Sequence, residues 1–365
     1  MASKVLENVL RSRNWSYNSI GTIRHTRSFA KRKLPTFPPT SSPELDKLLR
    51  TYRDTIFIPS LLPERYQQLI YKTKHRQSLL SEPRYVDIPC DNGEVLNFRL
   101  SPIDRLTDVP TSKVTEVLSL MKTPADYDAI VPFLQGLHQA GRKLHMWQAV
   151  RIARWANDAN RSDVVVDCAR RAKTTGFLLS TLEVARAAIR GPYQLAKGGD
   201  VGQVKKAMGQ AEQLIELLES PLHAGVLGLH PAQPRAQPDI VGVALAVAAI
   251  QASKYNGGSD VDGKVASYAN RMKGTWANAD LKFNAHRELA LSPARRLMAW
   301  APALHGARLA RDILSAESAE GAWISEVLPQ MEEELEQVQN RISMAPREYD
   351  ELQGVDGGRG LHPSS

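Results

Sequence analysis

Asp200-Val-Gly-Gln-Val204-Lys-Lys-Ala-Met208-Gly-Gln-Ala211-Glu-Gln-Leu214-Ile215-Glu-Leu-Leu218 sets apolar residues at 201, 204, 208, 211, 214, 215 and 218. Gaps of three and four align them as one stripe of a 3.6-residue helix. Asp200 stands where a side-chain oxygen caps a first turn, and Pro221 closes the segment. A helix with such a stripe needs neighbours to cover it, and the chain from about Lys113 onward supplies them.

Upstream, Tyr127, Ile130, Val131 and Leu134 share a face, with Pro132 expected to kink that helix or open a new first turn. Met146, Val150 and Ala153 form the next stripe. Val165, Cys168, Ala169 and Ala172 follow a Ser162 cap and end at Gly176. Ser180 and Glu183 read as a capping box ahead of Val184, Ala187 and Ala188, with Gly191-Pro192 as the stop. Downstream, Ile240 to Ala252 is apolar all round, which predicts a helix enclosed by others. Val265, Tyr268, Ala269 and Met272 make a helix ending at Gly274. Ser292-Pro293 opens another through Leu297, Trp300 and Leu304. Trp323, Val327, Met331, Leu335, Val338 and Ile342 stripe a last, acidic one.

Helix starts near Pro124, Ser162, Asp200 and Pro238 recur every 38 residues, a rhythm of helical-hairpin solenoids. The signature positions of tetratricopeptide repeats do not accompany it. The expected fold is therefore mainly α: an irregular, solenoid-like array of helical hairpins, preceded by an extended arm and one small β-hairpin. The arm is residues 30–43, with Pro35, Pro38, Pro39 and Pro43 among Lys, Thr and Ser. Short helices opened by Pro43 and Pro63 are expected to dock either on a partner or on this chain. The hairpin is Arg84 to Cys90 and Glu94 to Leu100 around Asp91-Asn92-Gly93, with Pro89 at a strand end. The chain divides into 1–29, a presequence; 30–83, a basic Pro-rich arm with docking helices; 84–110, the hairpin and a linker; 111–315, the helical body; 316–345, an acidic helix; and 346–365, a disordered tail.

The first 29 residues hold five Lys or Arg against one acid, Glu7, and include Arg27-Ser28-Phe29 before Ala30. This stretch resembles a mitochondrial targeting presequence cut between Phe29 and Ala30. Removing it lowers the formal charge from +8 to +4, because five bases and one acid leave. Half of the basicity is an address label. The remainder is uneven, with residues 30–83 carrying 10 basic and 5 acidic side chains and residues 316–365 carrying 3 and 11. The two cysteines, Cys90 and Cys168, lie in unrelated contexts and form no framework. The longest apolar run, Ile240 to Ile250, is too short for a bilayer, so the chain reads as soluble.

Motifs that force a catalytic geometry are missing: no His-Glu-x-x-His, Gly-x-Gly-x-x-Gly, Gly-x-x-x-x-Gly-Lys-Ser/Thr or Gly-x-Ser-x-Gly occurs. No enzyme activity, cofactor or small-molecule substrate is expected. His223 and His230 flank a glycine-containing loop without a nearby carboxylate or thiol and read as ordinary loop histidines rather than metal ligands. Glu332, Glu333 and Glu334 read as a solvated face.

More informative is a basic series from Arg142 to Lys206. Arg151 and Arg154, like Arg186 and Arg190, share helix faces, and Arg170, Arg171 and Lys173 cluster. Successive helices presenting such faces to one side would build a continuous cationic groove that neutralises phosphates without reading bases. Pairing with Asp158, Asp163, Asp167 and Glu183 is the competing reading. Trp147 and Trp155 fit core positions, with stacking on nucleotides as the alternative.

A presequence, a basic arm, docking helices, a lone hairpin, a helical body and an acidic tail together resemble the lineage-specific helical proteins of fungal mitochondrial ribosomes. The resemblance lies in layout and targeting, not in a motif. It implies a structural role in the mitochondrial matrix, with ribosomal RNA and mitochondrial ribosomal proteins as partners. RNA-backbone contacts would fall at Lys31, Arg32 and Lys33, at Lys72, Lys74 and Arg76, at Arg151 and Arg154, and at Arg170, Arg171 and Lys173. Two other readings stay open: a helical-repeat RNA-binding factor for mitochondrial transcripts, resembling pentatricopeptide proteins, and an assembly factor for a respiratory complex.

Overall fold

The computed structural model describes residues 33–103, 114–224, 230–279 and 292–344, and within them the only sheet has two strands. The expected presequence, with Arg27, Phe29 and Ala30 at its expected cut, and Lys31, Arg32 and residues 346–365 lie outside the described residues. Ten helices build the body: α4 (Val114–Leu120), α5 (Ile130–Gln139), α6 (Met146–Asp158), α7 (Ser162–Arg170), α8 (Leu182–Gly198), α9 (Val201–Glu219), α10 (Pro238–Tyr255), α11 (Lys264–Thr275), α12 (Pro293–Ile313) and α13 (Ala319–Met344). They precede and follow one another as antiparallel hairpins in two layers. Even-numbered helices α4, α6, α8, α10 and α12 stack in succession to form one layer. Odd-numbered α5, α7 and α9 stack likewise, as do α11 and α13, in the other.

Asp200 caps α9 as the sequence predicts: its carboxylate accepts from Gln203 N (2.8 Å), and Gln203 Oε1 accepts from Asp200 N (3.2 Å). The stripe from Val204 to Leu218 is buried, whereas Val201, in the first turn, is 59% exposed. The apolar α10 is buried along nearly its whole length because α8, α9, α11 and α12 all pack on it. It meets α12 through small residues. A Cβ on Gly242 would fall 2.4 Å from Ala303 Cβ, and one on Gly306 would fall 2.7 Å from Ala246 Cα.

Three local expectations are corrected. Gly191-Pro192 does not stop α8, which runs on to Gly198. Gly191 is there for close approach: a Cβ would lie 2.1 Å from Oδ1 of Asn157, whose Nδ2 donates to Ala187 O (2.8 Å). Ser162 does not cap α7, for it is the first helical residue and its hydroxyl donates to Gln210 Oε1 in α9 (2.7 Å). Thr181 rather than Ser180 precedes α8 as N-cap, and no side chain completes a capping box. Pro132 falls in the first turn of α5, where a missing N–H costs nothing.

The helix starts stand close to where the sequence sets them, yet the 38-residue rhythm mixes layers. Starts near 124, 162 and 200 belong to the odd-layer members of three successive hairpins, while 238 begins an even-layer helix. The segment between α9 and α10 shifts the phase, so the array is solenoid-like and irregular.

The N-terminal part rests on this body. α1 (Pro43–Tyr52) is capped by Ser42 and passes into a π turn, Arg53–Phe57, ahead of Pro59, whose ring opposes a regular helical turn. Tyr52 meets Phe133 of α5 edge-on at 4.9 Å, and Phe57 fills the space left by Gly136. The helices opened by Pro43 and Pro63 therefore dock on their own chain, the second being α2 (Glu64–Tyr71), followed by α3 (Arg76–Ser81). Strands β1 (Arg84–Pro89) and β2 (Val95–Leu100) pair from Arg84 opposite Leu100 to Pro89 opposite Val95, with Gly93 at φ +89° in the turn. The arm is not free. Leu34 is buried and extends the hairpin, donating its N–H to Pro89 O (2.9 Å) and accepting from Asp91 N (3.0 Å).

Candidate nucleic-acid and partner interface

The two layers divide the basic series. Arg151 and Arg154 on α6, Arg186 and Arg190 on α8, and Arg295 on α12 all line one groove of about 320 Å³ on the even-numbered helices. Arg170 of α7 and Arg171 just after it, with Lys205 and Lys206 of α9, line a separate hollow of about 750 Å³ on the odd-numbered ones. A single continuous groove is thus corrected to two cationic sites. Hairpin topology is the reason: α6 and α7 belong to opposite layers, so their outward faces cannot point the same way.

In the even-layer groove, Arg186 Nε is 2.6 Å from Asp239 Oδ2, a carboxylate 1% exposed in the first turn of α10. Helix N-termini favour such a charge. Asp239 holds Arg186 in position, and its other oxygen has no hydrogen-bond partner among the described residues. Arg151 Nη1 reaches Thr115 Oγ1 of α4 at 3.4 Å. Five guanidiniums face two carboxylates, Glu183 and Asp239. Between them lie Met146, Trp147, Val150, Ile240, Val243 and Met298. Trp147, expected in the core, is 46% exposed, while Trp155 packs against the core.

In the odd-layer hollow, Arg161, Arg170, Arg171, Lys205 and Lys206 are nearly balanced by Asp91, Asp128, Asp163 and Asp167. Arg161 bridges Asp128 and Asp163, and Arg171 pairs with Asp167 at 3.0 Å, so the competing reading of local ion pairs holds here. Arg170 donates to Gln213. Lys205 and Lys206 are exposed at this hollow, and Lys173 is exposed on the short helical turn that follows α7. Lys72, Lys74 and Arg76 also stay together, exposed on the turn between α2 and α3, and Lys33 is exposed.

His223 and His230 do not form a site. His223 is buried; its Nδ1 accepts from Leu179 N (3.0 Å), and Nε2 faces Ala169 O (3.1 Å). Burial lowers its pKa, which favours the neutral ring that this pairing needs. Of the glutamates, Glu332 pairs with Arg308 of α12 at 2.8 Å. Sequence reasoning missed Arg295, Met298 and Asp239. The first two lie three apart on α12, a helix-face signal, but only packing of α12 against α10 brings them beside Arg186.

Such an arrangement defines a class, a two-layer helical scaffold with an arginine-lined groove on one layer and a nearly charge-balanced hollow edged by exposed lysines on the other. The sequence model of one family, described as mitochondrial ribosomal protein mS27, matches residues 22–357, and the chain belongs to that family. The small ribosomal subunit protein mS27 of Neurospora crassa is 30% identical over 188 residues, covering 50% of this chain and 46% of that protein. The match thus spans just under half of that relative's length. The resemblance to fungal mitochondrial ribosomal proteins is borne out, and the family is mitochondrial.

Proposed function

We propose that this protein is a non-catalytic, structural component of the small subunit of the mitochondrial ribosome, working in the matrix. The observation that carries this reading is the family match across nearly the entire chain. The name of the Neurospora crassa relative supports the choice of subunit. An array of helices packed in two layers suits a part that holds other parts together.

Ribosomal RNA is approached by exposed cations that are not already neutralised: Lys205, Lys206, Lys173 and the outer edge of Arg170 on the odd layer, and Lys72, Lys74 and Arg76 on the α2–α3 turn. Removal of the presequence after Phe29 would add Lys31, Arg32 and Lys33 at a new N-terminus. Such contacts bind phosphates without sequence preference.

Gradient sedimentation of mitochondrial lysate tests the reading. Stoichiometric migration with the small subunit through moderate salt is the expected result. Migration with free transcripts, or with a membrane assembly intermediate, would replace it with one of the two other readings.

A further inference from the structure

The geometry points to the even-layer groove as a docking site for a segment of a neighbouring protein that carries a large apolar side chain flanked by carboxylates. This inference rests on the ribosomal reading only for where the partner is sought. Three of the ten large hydrophobic residues exposed among the described residues, Met146, Trp147 and Met298, meet at this one groove. Scattered exposed hydrophobics are ordinary, but a cluster floored by Val150, Ile240 and Val243 marks a contact surface.

Charge selects the partner. With Arg186 neutralised by Asp239, the floor is still surrounded by Arg151, Arg190 and Arg295 against Glu183, so an occupant bearing acids is attracted. Arg186 is held by Asp239 before any partner arrives, which lowers the ordering cost of using it. Arginine, tryptophan and methionine are the residues enriched at the buried centres of protein interfaces.

RNA fits less well. Base edges laid on the floor of Val150, Ile240 and Val243 would lose their hydrogen bonds to water without replacement, a loss that an apolar side chain does not suffer.

The test places a photoreactive benzophenone amino acid at Met298, with a second variant at Val261, an exposed residue that does not line the groove. Both are expressed in the native organism, small subunits are purified on a gradient, irradiated, and the cross-linked species mapped by mass spectrometry. The expected result is one cross-linked peptide from a single subunit protein, containing Leu, Ile, Phe or Met beside Asp or Glu, and absent from the Val261 sample. Adding Arg190→Glu should cut its yield about fivefold or more while the protein stays in the subunit fraction. Cross-linking to rRNA, to a basic peptide, or to nothing would overturn the inference. Absence of the protein from the subunit fraction would instead overturn the ribosomal reading, and the cross-link would then be sought in whichever complex holds it.

Discussion

Ser41 gives both its backbone N–H and its hydroxyl to the carboxylate of Asp126, 85 residues further along, at 2.7 Å each. Asp126 also accepts from the N–H groups of Lys122 and Thr123, at 2.9 and 2.8 Å. One carboxylate, 1% exposed, thereby caps the turn ahead of α5 and fastens the N-terminal segment to the body.

Replacing Asp126 by Ala leaves four part-buried donors without their acceptor and should destabilise the protein by roughly 2 kcal/mol. Burial alone would raise the pKa of this carboxyl, but the hydrogen bonds from Ser41, Thr123 and Lys122 outweigh it and hold the value at about 2. A folded pKa below the unfolded value stabilises above the unfolded pKa and is lost as pH falls through the folded one. Asp126 should therefore contribute roughly 1 to 2 kcal/mol at neutral pH that disappears between about pH 4 and pH 2. Acid unfolding followed by circular dichroism, wild type against Asp126→Asn, checks this: the variant should lose less stability across that interval.

The contact of α10 with α12 allows no added atoms. Gly306→Ala would push a methyl to 2.7 Å from the Ala246 backbone, which cannot move aside as a side-chain tip can. The expected cost is about 2 to 3 kcal/mol in urea unfolding. Gly209→Ala, on α9 where nothing lies within 4 Å, should instead be neutral or slightly stabilising.

Reversing Lys173, Lys205 and Lys206 to Glu should weaken retention of the protein on the small subunit most at low salt, with the deficit relative to wild type shrinking as salt rises. In binding to isolated rRNA, the log–log salt slope should fall by about one for each phosphate contact removed. Unchanged salt dependence would remove the odd-layer face from the list of RNA contacts.

Both thiols should resist modification in the native state. Cys168 is completely enclosed, and Cys90 lies under Leu34 with 6% exposure; burial pushes both pKa values up and suppresses the thiolate. Titration with a disulfide reagent should find neither cysteine reacting quickly in native buffer and both reacting in denaturant.

The helices were legible because burial writes a 3.6-residue period into each one, as from Val204 to Leu218 or Val327 to Val338. The hairpin was legible from its turn residues. Stops were less so: Gly191-Pro192 reads as a terminus locally, yet α8 continues because Asn157 and Ser162 press against a residue that must lack a side chain. Of the candidate cations, helix faces were correctly grouped in pairs, Arg151 with Arg154 and Arg186 with Arg190. Their division between two surfaces was not visible, nor was Asp239, whose partner stands 53 residues away.

By itself, the sequence determined a helical-hairpin protein with surplus basic charge, since periodicity, turn chemistry and charge are local properties. Only the tertiary structure decided which arginines share a groove and which are neutralised, that Trp147 is exposed while Arg295 joins α6 and α8, and that the arm folds back through Leu34 and Ser41. Those outcomes depend on which helix packs on which, and the energies that choose it come from contacts between residues tens of positions apart.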